Sequence, residues 1–205
     1  MPHLKLELKL APARVCGVDE AGRGPLAGPV VAAALIFEAG KKIPRGLNDS
    51  KQLSRIEREK LYERLLKNDI HHAVGIASVE EIDTLNIWGA TQLAMKRAVT
   101  GLALAPEWAL IDGHLKPRDM PCECQPVIGG DGISLSIAAA SIIAKVTRDR
   151  IMEEHAATWP HYGFERHAGY GTPQHYKALE EHGPCSIHRR SFAPIRNLLE
   201  AMAAA

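Results

Sequence analysis

The residues best suited to chemistry in this chain are four carboxylates at three separate places: Asp19 with Glu20, Asp112, and Asp131. Each place lies where a short apolar run gives way to glycine, in Val18-Asp19-Glu20-Ala21-Gly22, Ile111-Asp112-Gly113 and Gly129-Gly130-Asp131-Gly132. Open α/β sheets bind ligands beyond the carboxyl ends of their strands, and these are such positions. Taken singly, each acid is also what an ordinary turn or helix start presents. Adjacent strand residues face opposite sides, so Asp19 and Glu20 share a site only where the strand ends or twists, which the following glycines permit. Four converging carboxylates repel unless cations neutralise them. Mg²⁺ or Mn²⁺, hard ions that prefer oxygen ligands, suit both the carboxylates and a phosphate substrate. Two such ions ~3.5–4 Å apart orient a water in line with a phosphodiester and stabilise the leaving oxygen. The chemistry implied is phosphodiester hydrolysis.

Around the acids stand groups suited to a nucleic acid. Gly22-Arg23-Gly24 lacks a Cβ on two of three residues, so its backbone can test a sugar edge, although a tight hairpin explains the tripeptide equally well. A hydrogen bond to a 2′-hydroxyl is what separates RNA from DNA. Asn48, Ser50 and Lys51 precede a helix and are placed to hold a backbone phosphate, or simply to cap it. Ser141, Lys145 and Arg148 fall at i, i+4 and i+7 of a long helix, a basic stripe able to track phosphates or to face solvent. Tyr170, flanked by Gly169 and Gly171, is placed to stack on a sugar or base. His188-Arg189-Arg190 offers a contact with the other strand.

The elements that must position these residues follow from periodicity and punctuation. Arg14–Asp19 and Gly28–Phe37 read as an antiparallel strand pair with an elaborate turn. Ser54 with Glu57 is a capping box that opens a helix to Lys67, with Ile56, Leu61 and Leu65 as its apolar stripe. His71–Ala77 reads as a strand; Ser78 with Glu81 caps a helix to Leu102, with Ile82, Leu85, Ala90, Leu93, Ala94 and Val99 at helical spacing. Strands over Trp108–Ile111 and Gln125–Ile128 come next, then a helix over Ser134–Glu154. A hairpin followed by alternating strands and helices predicts an α/β fold with a mixed sheet. From Pro160 onward Gly and Pro punctuate short helices at Gln174–His182 and Pro194–Ala203, a C-terminal helical appendage.

With 205 residues, 46% hydrophobic and 24% charged, the chain has the composition of an ordinary globular protein. The net charge of +1 excludes a global electrostatic pull on nucleic acid, so polyanion affinity must come from local clusters. Cys16, Cys122, Cys124 and Cys185 have neither zinc-site spacing nor the density of a disulfide scaffold, as expected of reduced thiols in cytoplasm. No apolar stretch is long enough to span a bilayer, and Met1–Leu10 lacks the apolar core of a secretory signal. A cytoplasmic protein with no membrane association is expected, with monomer as the default.

In order along roughly residues 14 to 193, the segments Gly17–Val30, Leu47–Lys51, Ile111–Gly113, Gly130–Asp131, Ser136–Asp149 and Gly169–Pro173 resemble the ribonuclease HII family, the bacterial type 2 ribonucleases H. The first and fifth segments are long and specific. The resemblance implies a ribonuclease H-like mixed central sheet flanked by helices in a catalytic domain over 1–158, with a C-terminal helical extension over 159–205. It implies Asp19, Glu20, Asp112 and Asp131 as the catalytic, metal-binding set, with Mn²⁺ or Mg²⁺ as cofactor. Asp149 competes for the fourth place but lies about five helical turns beyond Asp131 and is better paired with a basic neighbour. By the same resemblance, Gly22, Arg23 and Gly24 read the 2′-hydroxyl through their backbone and Tyr170 senses the sugar at an RNA-to-DNA junction. The substrates implied are RNA/DNA hybrids and duplex DNA carrying single ribonucleotides, cut on the 5′ side to leave 3′-hydroxyl and 5′-phosphate ends. The biological role implied is removal of misincorporated ribonucleotides. A sliding clamp is a partner for which the terminus, Leu198–Ala205, shows no paired aromatics. Met1–Ala13 and the spacer His114–Pro126 take no assignment.

Two other readings stand beside this one. A DNA exonuclease or junction resolvase would share the metal chemistry without needing the glycine turn or Tyr170, and a DNA-only substrate profile would mark it. A non-catalytic RNA/DNA-binding module would make the carboxylates dispensable.

Overall fold

A computed structural model describes residues 1–38, 40–67, 70–114 and 116–204. Leu115 in the unassigned spacer and Ala205 at the end of the expected extension lie outside the described residues. After a short helix α1 (Lys5–Lys9) come strands β1 (Val15–Ala21) and β2 (Val30–Ile36), helix α2 (Arg55–Lys67), strand β3 (His71–Ala77), helix α3 (Val79–Thr100), and strands β4 (Trp108–Asp112) and β5 (Glu123–Val127). Helix α4 (Leu135–Thr158) is followed by α5 (Phe164–His167), α6 (Pro173–His182) and α7 (Ala193–Ala204).

The five strands form one mixed sheet in the order β3-β2-β1-β4-β5, with β1 antiparallel to β2 and parallel to β4. Both faces are covered, so β2 is buried along its whole length. Its alternation divides the core: Val30, Ala32, Ala34 and Ile36 face α3, while Ala33 and Leu35 face α2 and α4. Small residues let the layers close tightly. A Cβ at Gly17 would stand 2.2 Å from the Ser136 carbonyl carbon, so the first turn of α4 lies directly on the β1 backbone.

A third cluster, including Leu26, Ala27, Met152, Tyr162, Phe164, Leu179 and Ile195, joins the β1–β2 connection and α4 to the C-terminal helices. The predicted capping boxes close as expected, Ser54 with Glu57 and Ser78 with Glu81. Two expectations fail in detail. Ile56 is 68% exposed, because α2 turns only Leu61 and Leu65 fully into the core. Helix α3 is broken at Asn86 (φ 59°, ψ 171°), whose Oδ1 accepts from the amides of Trp88 and Gly89 and restarts the helix; Leu85, beside the break, is 42% exposed.

Candidate active site

Register brings the first two acids together. In the parallel pair Val18 lies beside Ile111, so Asp19 and Asp112 follow side by side at the carboxyl ends of β1 and β4. Alternation sends both toward α4, because Gly17 and Leu110 on the same face meet Ser136 and Ile137. Beyond β5 a left-handed Gly129 (φ 63°) turns the chain into a single 3-10 turn that carries Asp131 back toward Asp112. The Gly130 amide donates to Asp112 Oδ1 at 2.7 Å and fixes that carboxylate. One oxygen from each of Asp19, Asp112 and Asp131 lies within 4.8 Å of the others.

Glu20 is not in this group. It lies at the margin of the group, lining the same cleft as Asp19 and also a hollow with Trp88, Met95, Asp112 and His114, and its carboxylate meets the Arg23 guanidinium at 3.4 Å. The structure therefore gathers three aspartates at contact range with the glutamate beside them. Asp149 is paired with Lys145 at 2.6 Å.

The electrostatics are those of a site that favours protons or cations. Burial, then the charges of Glu20 and Asp112, hold the Asp19 carboxyl well above the usual range, against the nearby Ser141 hydroxyl and a hydrogen bond from the Glu20 amide. Burial, then Asp112 and Asp49, raise Asp131. Burial, then Asp112, also raise Glu20, against the pull of Arg23 and Lys51. Lys51 answers this field: burial lowers its pKa, but Asp49, Asp131, Asp19 and Asp112 outweigh burial and raise it. A cluster of hard oxygen donors whose mutual repulsion is incompletely relieved by one lysine fits a divalent cation.

A cleft of about 660 Å³ opens over Asp19 and Glu20, and Gly22, Arg23, Gly24, Ser50, Lys51, Ser141, Lys145 and Tyr170 line it. Of the expected substrate groups only Asn48 stays outside, its amide donating to Gln52. Ser141 donates to Ser50 at 2.9 Å, joining α4 to the loop before α2. Tyr170 is 47% exposed, and its ring edge lies 3.4 Å from where a Gly24 Cβ would be.

Two arginines expected on the surface are interior. Arg148 donates through Nε to Pro29 O (3.0 Å), through Nη1 to Ala168 O (3.0 Å) and through Nη2 to Ala27 O (3.1 Å). Arg189 donates to the carbonyls of Gly28, Arg23, Gly22 and Pro29. Burial lowers Arg148 to about 10, and burial with the Arg148 charge lowers Arg189 to about 9, so both remain cations at neutral pH. Neither guanidinium is available to a phosphate, and of the His188-Arg189-Arg190 cluster only Arg190 is exposed. A Cβ at Gly22 would stand 2.0 Å from Arg148 Nε: that glycine makes room for the buried guanidinium. Asp49, close enough to raise Asp131, was not singled out by sequence reasoning, because an aspartate before a helix reads as a cap.

Comparison with known proteins shows the family of the chain. The family model described as Ribonuclease HII matches residues 16–195. A ribonuclease HII of Parvibaculum lavamentivorans is 58% identical over 97% of this chain and 74% of its own length. One of Paraburkholderia xenovorans is 58% identical over 89% of this chain and 73% of its own. Among solved structures, the ribonuclease H2 of Pyrococcus horikoshii superposes with a TM-score of 0.74 at 28% identity, covering 94% of this chain and 100% of that one. The RNase HII of Archaeoglobus fulgidus, solved in complex with PCNA, gives 0.70 at 28% identity over 86% of this chain and 93% of its own.

Proposed function

Because this chain belongs to the ribonuclease HII family and is a ribonuclease H, we propose that it hydrolyses the RNA strand of RNA/DNA hybrids and cuts 5′ to single ribonucleotides embedded in duplex DNA. The observation that carries the reading is the meeting of Asp19, Asp112 and Asp131 within 4.8 Å, with Asp19 in the same cleft as the Gly22-Arg23-Gly24 turn and Tyr170. Asp19, Asp112 and Asp131, with Glu20 alongside, are the catalytic set and hold Mn²⁺ or Mg²⁺. A pair of such ions supplies neutralisation of the phosphodiester oxygens and orientation of the attacking water.

The chain's own groups divide the remaining work. The carbonyls of Gly22 and Arg23 accept from Arg189, which fixes the turn, and the backbone of Gly22, Arg23 and Gly24 reads the 2′-hydroxyl. Tyr170, exposed above Gly24, stacks on the neighbouring sugar. Lys51 and Lys145 meet phosphates flanking the scissile bond, with Ser50 and Ser141 fixing the loop from which Lys51 projects. Water attacks phosphorus, the bond to the upstream 3′-oxygen breaks, and that oxygen takes a proton. The phosphate stays on the 5′ side of the ribonucleotide. We assign 1–158 to the catalytic domain and 159–205 to an extension that completes the cleft, and place the enzyme as a monomer in the cytoplasm, acting in ribonucleotide removal. No described helix is long and apolar enough to cross a membrane.

The test uses labelled duplexes that differ by one ribonucleotide, with Mg²⁺, Mn²⁺ or EDTA, and an Asp19→Asn variant. Metal-dependent cutting 5′ to the ribonucleotide, absent from all-DNA duplex and from the variant, is the expected result. Cutting of the all-DNA duplex instead, or binding without cleavage, overturns the reading.

A further inference from the structure

Behind the exposed ring of Tyr170 lies a group of buried histidines that the reaction itself does not use. His175 and His188 are fully enclosed, and His167 stacks on His175 with ring centroids 4.7 Å apart and planes 17° from parallel. We propose that His167, His175 and His188 are positioning residues, a proton-ordered set of neutral imidazoles that locks the backbone of Tyr170 and so aims its ring into the cleft. The proposal rests on the sugar-sensing role given to Tyr170 above.

The protons can be placed without seeing them, because a backbone N–H only donates and a backbone carbonyl only accepts. The Cys185 amide lies 2.9 Å from His188 Nδ1, so that nitrogen accepts and the His188 proton sits on Nε2. His188 Nε2 is 2.9 Å from His175 Nε2, which must therefore accept. The His175 proton then sits on Nδ1, which donates to the Tyr170 carbonyl at 2.9 Å. On the other side, the Gly169 amide donates to His167 Nδ1 at 3.2 Å, leaving His167 Nε2–H to donate to the Tyr162 carbonyl at 2.8 Å. The Tyr170 amide donates in turn to the His167 carbonyl at 2.9 Å.

Each imidazole nitrogen thus has its partner, with His188 Nδ1 facing both the amide and the thiol of Cys185, and a second proton has nowhere to go. Charging His175 or His188 would set two N–H groups against each other. The surroundings agree: Phe164 meets His175 edge-on at 5.5 Å and Tyr162 lies 4.9 Å from His188. Burial, with the charge His175 would carry, pushes His188 down to about 4, and burial lowers His175. The titratable groups facing the pair are His167, Tyr162 and the Cys185 thiol, the last 3.2 Å from His188 Nδ1. None is a carboxylate that would hold a charged imidazole. A satisfied polar chain specifies one arrangement where an apolar core would tolerate several.

Nitrogen-15 NMR of the whole protein tests the proton order. At neutral pH His167 and His188 are expected as Nε2–H tautomers and His175 as the Nδ1–H tautomer; a reversed tautomer or an imidazolium at either buried site overturns the order. The positioning role is read from kcat/KM on duplex DNA with one ribonucleotide for Tyr170→Ala, His175→Phe and the double variant. Each single change is expected to lose about tenfold or more, the double to be no worse than Tyr170→Ala, and His175→Asn, which offers an N–H near the Nδ1 position, to recover part of the loss. Wild-type rates in His175→Phe, or multiplied losses in the double variant, overturn positioning through Tyr170. Wild-type rates in Tyr170→Ala alone remove the sugar-sensing role and the positioning role with it, an outcome recognisable because no histidine has been changed.

Discussion

At the scale of single residues, Asp19 is held in a state that burdens the fold. Its carboxyl lies well above the usual range because it is buried and faces Glu20 and Asp112. An acid whose pKa is raised on folding adds stability below its unfolded pKa and loses it as pH rises through the folded one. At neutral pH without metal, Asp19 is therefore a net cost, at about 1.4 kcal/mol for each tenfold change in proton affinity. Asp19→Asn is expected to lower metal-dependent cutting by at least about a hundredfold. In EDTA at neutral pH the same variant should melt higher than the wild type, by ~2–4 °C per kcal/mol. That gain should shrink on acidification and vanish below about pH 3, where the acid is protonated in both states. Thermal melts across pH check this, and a lower melting temperature for the variant in neutral EDTA would contradict it. Arg189 works differently, through the four carbonyls it holds. Lysine cannot reproduce the guanidinium fork. Arg189→Lys is expected to lose several-fold or more in kcat/KM on a single-ribonucleotide duplex and about 3 kcal/mol in stability, measured by steady-state kinetics and denaturant titration.

At the scale of elements, the site depends on how closely α4 lies on β1. With the Gly17 Cβ position 2.2 Å from α4 backbone, no side chain can yield to relieve the clash. Gly17→Ala is expected to cost about 1–3 kcal/mol or more by overpacking, while Gly132→Ala, with nothing within 4 Å, stays near neutral; paired denaturation curves decide it. The same elements explain what could be read in advance. The aspartates 19, 112 and 131 were legible because each stands where an apolar run gives way to glycine; strand alternation made it a condition that Asp19 and Glu20 share a site only where the strand ends, and it does not show that Glu20 falls outside the closest group. The kink at Asn86 was less legible: apolar spacing continues through it, and only the tolerance of asparagine for positive φ hinted at it. Arg148 and Arg189 were misread as surface cations, because arginine in a helix or a basic run usually faces water. What buries them is a set of carbonyls on the β1–β2 connection, which no local pattern reveals.

At the scale of the molecule, the catalytic aspartates proposed here stand on β1, on β4 and in the turn after β5, while the groups that shape the cleft proposed to read the sugar come from the β1–β2 connection and from the chain beyond α4. Leu26 N donates to Gly169 O, Gly28 N to Ile187 O, and Arg189 N to Leu26 O. These bonds stitch the first hairpin connection to the last quarter of the chain. They have a consequence in time. A contact between residues some 160 positions apart cannot form during synthesis until nearly the whole chain has emerged, and its loop-closure entropy is met only after the sheet exists. In the assignment proposed above, the carboxylates are expected to assemble before the gate, the cleft that selects the sugar, takes shape. In refolding followed by pulse-labelled hydrogen exchange, the Gly28 and Arg189 amides should gain protection together and after those of Val31 and Leu35 in the sheet. Earlier protection at 28 and 189 would show the opposite order, with the gate built before the blade.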